Sequence, residues 1–246
     1  MNRRDLLKLA GMATLAHCAG QTAAPAAEPA RLIARPRNHD GTAEAGTFPL
    51  RLGVDRDGLL LVPSTYQADR ATPLIVMLHG AGGAARRVID NNRARAEEFG
   101  VIVLAPESRG MTWDIVRGEY GEDVRFIDRA LDRLFNDYHI NPRHLGIGGF
   151  SDGASYALSL GITNGDLFSH IVAFSPGFAS PASRHGSPRI FISHGTKDEI
   201  LPVVRTSRRM VPAFRQAGYE VEYQEFHGPH RVPEDVARHA FQWFTR

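Results

Sequence analysis

One strand–turn–helix segment constrains this sequence more than any other. Residues 145–158 read LGIGGFSDGASYAL, so an apolar run ends in Gly-Phe-Ser-Asp-Gly and small residues follow at once. The pattern predicts a buried strand, a sharp strained turn with Ser151 at its apex, and a helix. Gly149 and Gly153 stand where the strand and helix backbones come closest, so a side chain at either position would clash. The turn therefore presents one hydroxyl at the end of a strand.

Glycine-rich connections between strands and helices can also bind nucleotides. A dinucleotide-binding turn requires G-x-G-x-x-G, and this spacing is absent around Ser151. A second glycine-rich stretch, residues 79–83, lacks the G-x-x-x-x-G-K-[ST] pattern of a phosphate-binding loop. Both spacings favour a serine nucleophile over a phosphate site.

The rest of the sequence alternates between strand and helix patterns. Continuous apolar runs predict buried strands at 73–80, 100–105, 171–174 and 190–193. Helices are predicted at 84–99, 121–138, 203–217 and 233–245. Residues 48–54 and 59–63 flank a turn and predict an opening hairpin, and 219–226 alternate like a strand. We therefore predict an α/β fold, with a mostly parallel central sheet and helices on both faces.

Length and charge narrow the classes of protein that this chain can be. Its 246 residues suit one α/β domain, which we place at residues 31–246. The 29 basic and 27 acidic residues give a formal charge of +2, and no basic run marks a nucleic-acid surface. We therefore expect no nucleic-acid partner.

Residues 1–30 have the pattern of an export leader and linker. Arg3, Arg4 and Lys8 precede an apolar, alanine-rich stretch that is too short to span a bilayer. The paired arginines resemble a twin-arginine signal, which predicts export to the periplasm or the outside of the cell. The only cysteine, Cys18, ends a stretch like a lipoprotein box, but His17 stands where a small residue is expected and argues against a lipid anchor.

Three side chains at predicted strand ends could form a catalytic relay. A serine hydroxyl is a weak nucleophile unless a base accepts its proton and a third group orients that base. Asp198 follows the strand at 190–193, with Glu199 as the rival carboxylate. His230 lies in the loop after the last strand and can reach a serine more easily than His227, which abuts the strand end.

Two further features belong to the same end of the sheet. The stretch His-Gly-Ala-Gly-Gly at 79–83 frees backbone amides, and we expect the amides of Ala81 and Asp152 to bind a developing oxyanion. Trp113 lies in the loop after the strand at 100–105. It either lines the substrate pocket or packs into the body of the domain.

The motifs together resemble a known superfamily. The stretches LHG at 78–80, GFSDG at 149–153, HGTKD at 194–198 and GPH at 228–230 are similar to those of small serine esterases of the α/β-hydrolase superfamily, notably its polyhydroxybutyrate-depolymerase-like and phospholipase/carboxylesterase-like groups. The resemblance implies that Ser151, Asp198 and His230 form a Ser-His-Asp triad, in the chain order of that superfamily. It also implies hydrolysis of carboxylic esters through an acyl-enzyme, with no cofactor and no metal.

Departures from the resemblance refine the expected substrate. The segment between the strands at 171–174 and 190–193 is too short for an inserted lid, so we expect no cap domain and an open site. Small-molecule or oligomeric esters would fit such a site. A peptidase or an acyltransferase on the same triad, and a non-catalytic binding protein on the same fold, are the alternatives.

Overall fold

The computed structural model describes residues 30–37 and 44–246. The chain forms these elements in order: β1 (Gly46–Pro49), β2 (Gly58–Val62), β3 (Thr72–Leu78), α1 (Ala85–Phe99), β4 (Ile102–Pro106), α2 (Asp114–Arg117), α3 (Glu122–Asp137), β5 (Ile140–Phe150), α4 (Asp152–Thr163), β6 (His170–Phe174), β7 (Arg189–Gly195), α5 (Ser207–Gln216), β8 (Val221–Phe226) and α6 (Glu234–Phe244).

The strands form one sheet with the order β1-β2-β4-β3-β5-β6-β7-β8. β2 pairs antiparallel with both β1 and β4, whereas β3 to β8 pair in parallel. In register, Leu78 of β3 lies opposite Gly149 of β5, and Phe150 lies opposite Phe174 of β6. The loops that follow β3, β5, β7 and β8 therefore leave the sheet at the same edge, the one formed by the carboxyl ends of the parallel strands. Ligand-binding and catalytic residues of parallel sheets lie at this edge.

Helices cover both faces of this sheet because its strands are apolar on both sides. In β3, Leu74, Val76 and Leu78 pack into one core, and Ile75 and Met77 pack into the other. The first core contains the apolar faces of α3, α4 and α5, and the second contains those of α1 and α6. The predicted mostly parallel sheet with helices on both faces is confirmed.

Element boundaries differ from the sequence predictions at a few places. β1 ends at Pro49 rather than near residue 54, because the Asp57 carboxylate accepts hydrogen bonds from the amides of Arg51 and Leu52 and draws the chain into a turn. Arg51 itself has a φ of 54°. The short helix α2 lies in a segment that we expected to be a loop.

The segment between β6 and β7 packs flat against α4. Ser155, Ser159 and Thr163 lie four residues apart on that helix, and each hydroxyl donates to the carbonyl one turn earlier. The same hydroxyls accept the amides of Gly177, Ser180 and Ala182, at 2.9, 2.9 and 3.1 Å. This set of bonds, the hydroxyl ladder, holds the connection against the domain, and no cap domain interrupts the described residues.

The first described segment is fastened to the far end of α4. Asn164 accepts the Leu32 amide and donates to the Ala30 carbonyl, both at 2.8 Å. Arg31 forms a bidentate pair with Asp166, with both distances 2.8 Å. These residues lie between the end of α4 and the start of β6, at the edge of the sheet opposite the loops described above. Within residues 30–37 and 44–246, no helix is both long and apolar enough to cross a bilayer.

Candidate active site

The turn at Ser151 has the strained geometry that its sequence predicts. Ser151 adopts φ 58° and ψ −120°, and its amide donates to the Phe174 carbonyl at 2.9 Å. A Cβ on Gly149 would lie 2.5 Å from the Gly153 carbonyl carbon, and one on Gly153 would lie 2.3 Å from the Leu78 carbonyl oxygen. Glycine is therefore required at both positions, and Ser151 stands between the end of β5 and the start of α4.

Asp198 and His230 meet at the same edge of the sheet. His230 Nδ1 lies 2.6 Å from Asp198 Oδ2, and the Asp198 side chain is fully buried. Asp198 Oδ1 accepts the amides of Ile200 and Leu201, at 3.0 and 2.7 Å. An ionised carboxylate can only accept hydrogen bonds, so the His230 Nδ1–H donates to Asp198. The His230 Nε2 therefore carries no proton and remains available as a base.

The two loops that carry this pair pack directly on each other. The amide of Lys197 donates to the carbonyl of Gly228 at 2.9 Å. A Cβ on Gly195 would come within 2.4 Å of that carbonyl oxygen, so only glycine allows the approach. The rivals Glu199 and His227 are exposed side chains. The geometry therefore favours Asp198 and His230 as the orienting and basic groups.

His230 lies beside the serine turn. Its ring packs on Phe150, the residue before Ser151, with 4.6 Å between ring centroids. Gly80 approaches the same turn, where a Cβ would lie 3.3 Å from Ser151 Cβ. In the described part of the chain, Ser151 Oγ and the imidazole share no hydrogen bond. Such bonds are often long until substrate draws the groups together, so the predicted triad stays a proposal.

The loop after β3 presents backbone amides to the same place. His79 is buried; its Nδ1 donates to the Gly80 carbonyl at 2.8 Å and its Nε2 accepts the Ser108 amide at 3.0 Å. Burial lowers the pKa of His79, so the neutral ring fits both bonds. Ala81 is exposed, and neither its amide nor that of Asp152 donates to another group of the described chain. Both amides are available to an oxyanion.

Trp113 lies in the interior of the domain and not in the wall of a pocket. Its side chain is 0% exposed and stacks on Tyr156, with 5.2 Å between ring centroids. Its Nε1 donates to the His79 carbonyl at 2.8 Å. A fully enclosed ring cannot touch a substrate, so the predicted substrate contact is wrong and the packing alternative is correct. Trp113 supports the loop that carries Ala81 from below.

Sequence comparisons point to esterases. The family described as Phospholipase/Carboxylesterase matches residues 122–243, just under half of the chain. A probable feruloyl esterase C of Aspergillus oryzae is 28% identical over 157 residues, which cover 60% of this chain. The match spans only 57% of the length of that relative.

Structural comparisons give the fold. Esterase PE8 superposes with a TM-score of 0.63 at 22% identity and covers 76% of this chain and 96% of its own. An S-formylglutathione hydrolase from Staphylococcus aureus gives a TM-score of 0.67 at 13% identity, with 84% of this chain and 99% of its own covered. The chain has the α/β-hydrolase fold. At these sequence identities the likeness extends to the fold alone and does not carry over the substrates of those enzymes.

A large cavity opens beside the proposed site. Its volume is about 710 Å³, within the range that holds a small ligand. Gly80, Ala81, Phe150 and His230 line it, together with residues of α1 and of the segment after His230. Among the described residues, no group of three or more His, Cys, Asp or Glu side chains is arranged to hold a metal ion.

One site residue escaped the sequence analysis. His194 is the next-to-last residue of β7, four residues before Asp198, and its Nε2 lies 3.2 Å from the same Oδ2 that accepts from His230. The HGTKD motif contains His194 as well as Asp198, but it does not show which way the His194 side chain points. A buried strand residue gives no indication in sequence that it turns toward a neighbouring loop.

Proposed function

We propose that this α/β-hydrolase cleaves carboxylic esters through an acyl-enzyme, with Ser151 as nucleophile, His230 as general base and acid, and Asp198 as the group that orients His230. The observation that carries the proposal is the 2.6 Å contact between Asp198 and His230, beside a serine with a φ of 58°. Strained backbone that the surrounding fold enforces is typical of functional sites.

The chemistry proceeds in two balanced halves. Ser151 Oγ attacks the ester carbonyl carbon while His230 Nε2 takes the hydroxyl proton, and the amides of Ala81 and Asp152 bind the oxyanion. The intermediate collapses, the C–O bond to the alcohol breaks, and His230 gives its proton to the leaving oxygen. Water, deprotonated by His230, then attacks the acyl carbon, and Ser151 recovers the proton as the acid departs.

The start of α4 supports charge development at the serine. The helix begins at Asp152, so its free amides and the positive end of its dipole point toward the oxyanion. Losing one such donor typically costs about 3 kcal/mol of transition-state stabilisation. The neutral His79 holds the opposite donor loop without adding a charge.

The substrate is proposed only as a class. The names of the relatives include feruloyl esterases, so methyl ferulate belongs in a test panel with p-nitrophenyl acetate and butyrate. A peptidase or an acyltransferase would use the same triad. Turnover of a peptide p-nitroanilide but not of esters would favour the peptidase, and acyl transfer to an added alcohol in preference to water would favour the transferase.

The decisive experiment compares two serine variants. We expect Ser151→Ala to lower kcat on p-nitrophenyl butyrate by about 10⁴-fold or more, because the nucleophile is lost. Ser193→Ala is the matched control, since its hydroxyl is buried at the end of β7 without a hydrogen-bond partner. Equal rates in wild type and Ser151→Ala would refute the assignment. A fluorophosphonate probe should label the wild type and Ser193→Ala but not Ser151→Ala.

We also propose that residues 31–246 form one domain and that residues 1–30 direct its export. The paired arginines Arg3 and Arg4 and the apolar stretch after them support this proposal. These residues and Cys18 lie outside the described part of the chain. Fractionation of cells expressing the wild type and Arg3→Lys/Arg4→Lys would test it, with retention of the variant in the cytoplasm as the expected result and equal export of both as the contrary one.

A further inference from the structure

We propose that the cavity beside His230 binds the alcohol portion of the ester, and that this alcohol carries polar groups. The inference rests on the proposed ester hydrolysis and adds a binding site to it. Two walls enclose the cavity. One is the face of α1 that carries Arg87, Asn91 and Ala94, spaced at three and four residues, and the other is the stretch from His230 to Ala237.

The direction of proton transfer identifies which part of the ester enters. His230 must deliver its proton to the leaving oxygen, so the alcohol lies on the histidine side of the reacting carbon. The cavity is bounded by His230 itself and by Arg231 and Val232, which follow it. Ala81, whose amide is proposed to bind the oxyanion, also lines the cavity. An ester carbonyl held between Ala81 and His230 therefore directs its alkoxy group into the cavity.

The lining indicates the chemistry of that alcohol. The lining includes the buried apolar side chains of Met77 and Phe174, against which a carbon skeleton can pack. The walls carry exposed polar side chains of both signs, with Arg87 and Asp90 on α1 and Arg231 opposite. Neutral hydroxyl groups can pair with cationic donors and anionic acceptors alike, so a hydroxylated alcohol fits better than an anion.

An ion pair joins two of the segments that line the cavity. Arg95 of α1 pairs with Glu234 at the start of α6, and its side chain is 7% exposed. The pair links α1 to the start of α6 beside the cavity, and the Glu234 side chain is 75% exposed.

The test fills the cavity and varies the two halves of the ester separately. Ala94→Trp projects an indole from an exposed position of α1 into the cavity, and Arg86→Trp places the same ring at an exposed position outside its lining. Each variant is assayed on methyl butyrate, on a methyl ester with a bulky acyl group, and on the butyrate ester of glucose. We expect Ala94→Trp to lower kcat/KM at least about tenfold on glucose butyrate alone, with Arg86→Trp unchanged on all three.

Any other pattern of losses would overturn the assignment of the cavity to the alcohol portion of the ester. A selective loss on the bulky acyl methyl ester would make the cavity an acyl site, and equal effects on all three esters would exclude a subsite there. If the wild type cleaves none of the esters, the proposed function itself fails, and that outcome is distinct from a change in selectivity.

A separate observation supports a second proposal, that His194 is a positioning residue for Asp198. His194 Nε2 lies 2.7 Å from the Leu201 carbonyl and 3.2 Å from Asp198 Oδ2. Its Nδ1 lies 2.8 Å from Ser207 Oγ, at the start of α5. A carbonyl only accepts, so Nε2 carries the proton and Nδ1 accepts from the Ser207 hydroxyl.

This arrangement holds the Asp198 carboxylate in place through contacts other than its bond to His230. The side chain of His194 is fully buried, and burial lowers its pKa, so the ring stays neutral and adds a donor without adding a charge. Leu201 takes part twice, because its amide donates to Asp198 Oδ1 and its carbonyl accepts from His194. The Asp198 carboxylate is therefore held in one orientation while its Oδ2 binds His230.

Two substitutions at position 194 separate positioning from packing. His194→Leu keeps the volume and loses the donor, and His194→Gln keeps an N–H group that reaches about as far. If the triad proposal holds, we expect His194→Leu to lower kcat about tenfold with KM within about twofold, since a slightly misplaced base slows chemistry more than binding. His194→Gln should recover most of kcat. Ser207→Ala removes the hydroxyl that fixes the tautomer of the His194 ring, and its kcat should lie between those of the two His194 variants.

Thermal unfolding shows whether each variant is folded at the assay temperature. A Gln variant as slow as the Leu variant, or a rise in KM at constant kcat, would refute the positioning role. If His194→Leu does not fold, the comparison of His194→Gln and Ser207→Ala with wild type decides the question, and equal kcat in wild type and Ser207→Ala would overturn it.

Discussion

At the scale of single residues, a tryptophan links the interior to the site. Trp113 touches no substrate, yet its Nε1 holds the carbonyl of His79, and the His79 ring lies 4.9 Å from the indole. The same carbonyl lies 2.5 Å from where a Cβ on Gly153 would be. One buried donor therefore sets the separation between the loop after β3 and the start of α4, on which the spacing of the Ala81 and Asp152 amides depends.

Trp113→Phe removes that donor and keeps most of the ring. We expect kcat on p-nitrophenyl butyrate to fall about tenfold with little change in KM, because the oxyanion donors lose their fixed spacing. Steady-state kinetics of the purified variant give both constants.

Trp243→Phe is the matched control for that experiment. Trp243 is equally enclosed, but its Nε1 has no hydrogen-bond partner, so removing the N–H breaks no bond. Its kinetic constants should match those of wild type. Equal losses in both variants would mean that Trp113 acts through packing alone.

Residue identity allowed part of the site to be predicted, and geometry supplied the rest. The serine turn was predictable because its two glycines, Gly149 and Gly153, stand where the strand and helix backbones come too close for a side chain, as in any such tight strand–helix turn. The burial of Trp113 was not, because an indole in a loop is equally compatible with a pocket and with a core. The contact of His194 with Asp198 depends on a loop that returns to its own strand, which no local pattern encodes.

At the scale of elements, the hydroxyl ladder explains how a short connection remains ordered. Ser155, Ser159 and Thr163 would weaken an isolated helix, because their side chains compete for the backbone. Here each hydroxyl donates to a carbonyl of its own helix and also accepts one amide of the 177–182 segment. The ladder begins at the Ser151 carbonyl, so it also joins the connection to the serine turn.

Ser159→Ala removes the middle bond of the ladder. The amide of Ser180 loses its partner, and we expect the free energy of unfolding to fall by about 1 kcal/mol. Hydrogen exchange at the Ser180 amide should become faster, whereas the amide of Leu145, which bonds Ser169 elsewhere, should keep its rate. Unchanged exchange at Ser180 would show that the ladder does not hold this segment.

At the scale of the whole molecule, the sheet was predictable and its edges were not. Continuous apolar runs such as β3 require cover on both faces, so the layered architecture follows from composition and period. The early end of β1 depends on Asp57 bonding to two amides, which is a property of a particular loop. The start of β5 at Ile140 depends on a register shift between Thr72 and Leu74 of its partner strand, where Pro142 is tolerated.

The packing of α6 on the sheet should make stability depend on pH. His170 lies edge-on against Trp243 and Phe244, and burial, with Arg189 nearby, lowers its pKa to about 4. The unfolded histidine has a pKa near 6.5, so protons bind the unfolded chain first as the pH falls. The contribution of neutral His170 is therefore complete above about pH 6.5 and is lost as the pH falls toward 4.

Urea denaturation of wild type and His170→Phe at pH 7.5 and at pH 4.5 measures this effect. We expect the midpoint to fall less with pH in His170→Phe than in wild type. His227→Phe, a change at an exposed histidine, should follow the wild type. Parallel curves for wild type and His170→Phe would exclude His170 as a source of the pH dependence.

The attachment of residues 30–32 to the far end of α4 has a practical consequence. A bead, a resin or a fused partner coupled directly to Ala30 would sit at the end of the sheet remote from Ser151, and would leave the proposed site open to the solution. Coupling through an introduced cysteine on α1, beside the cavity, would have the opposite result and obstruct entry of large esters.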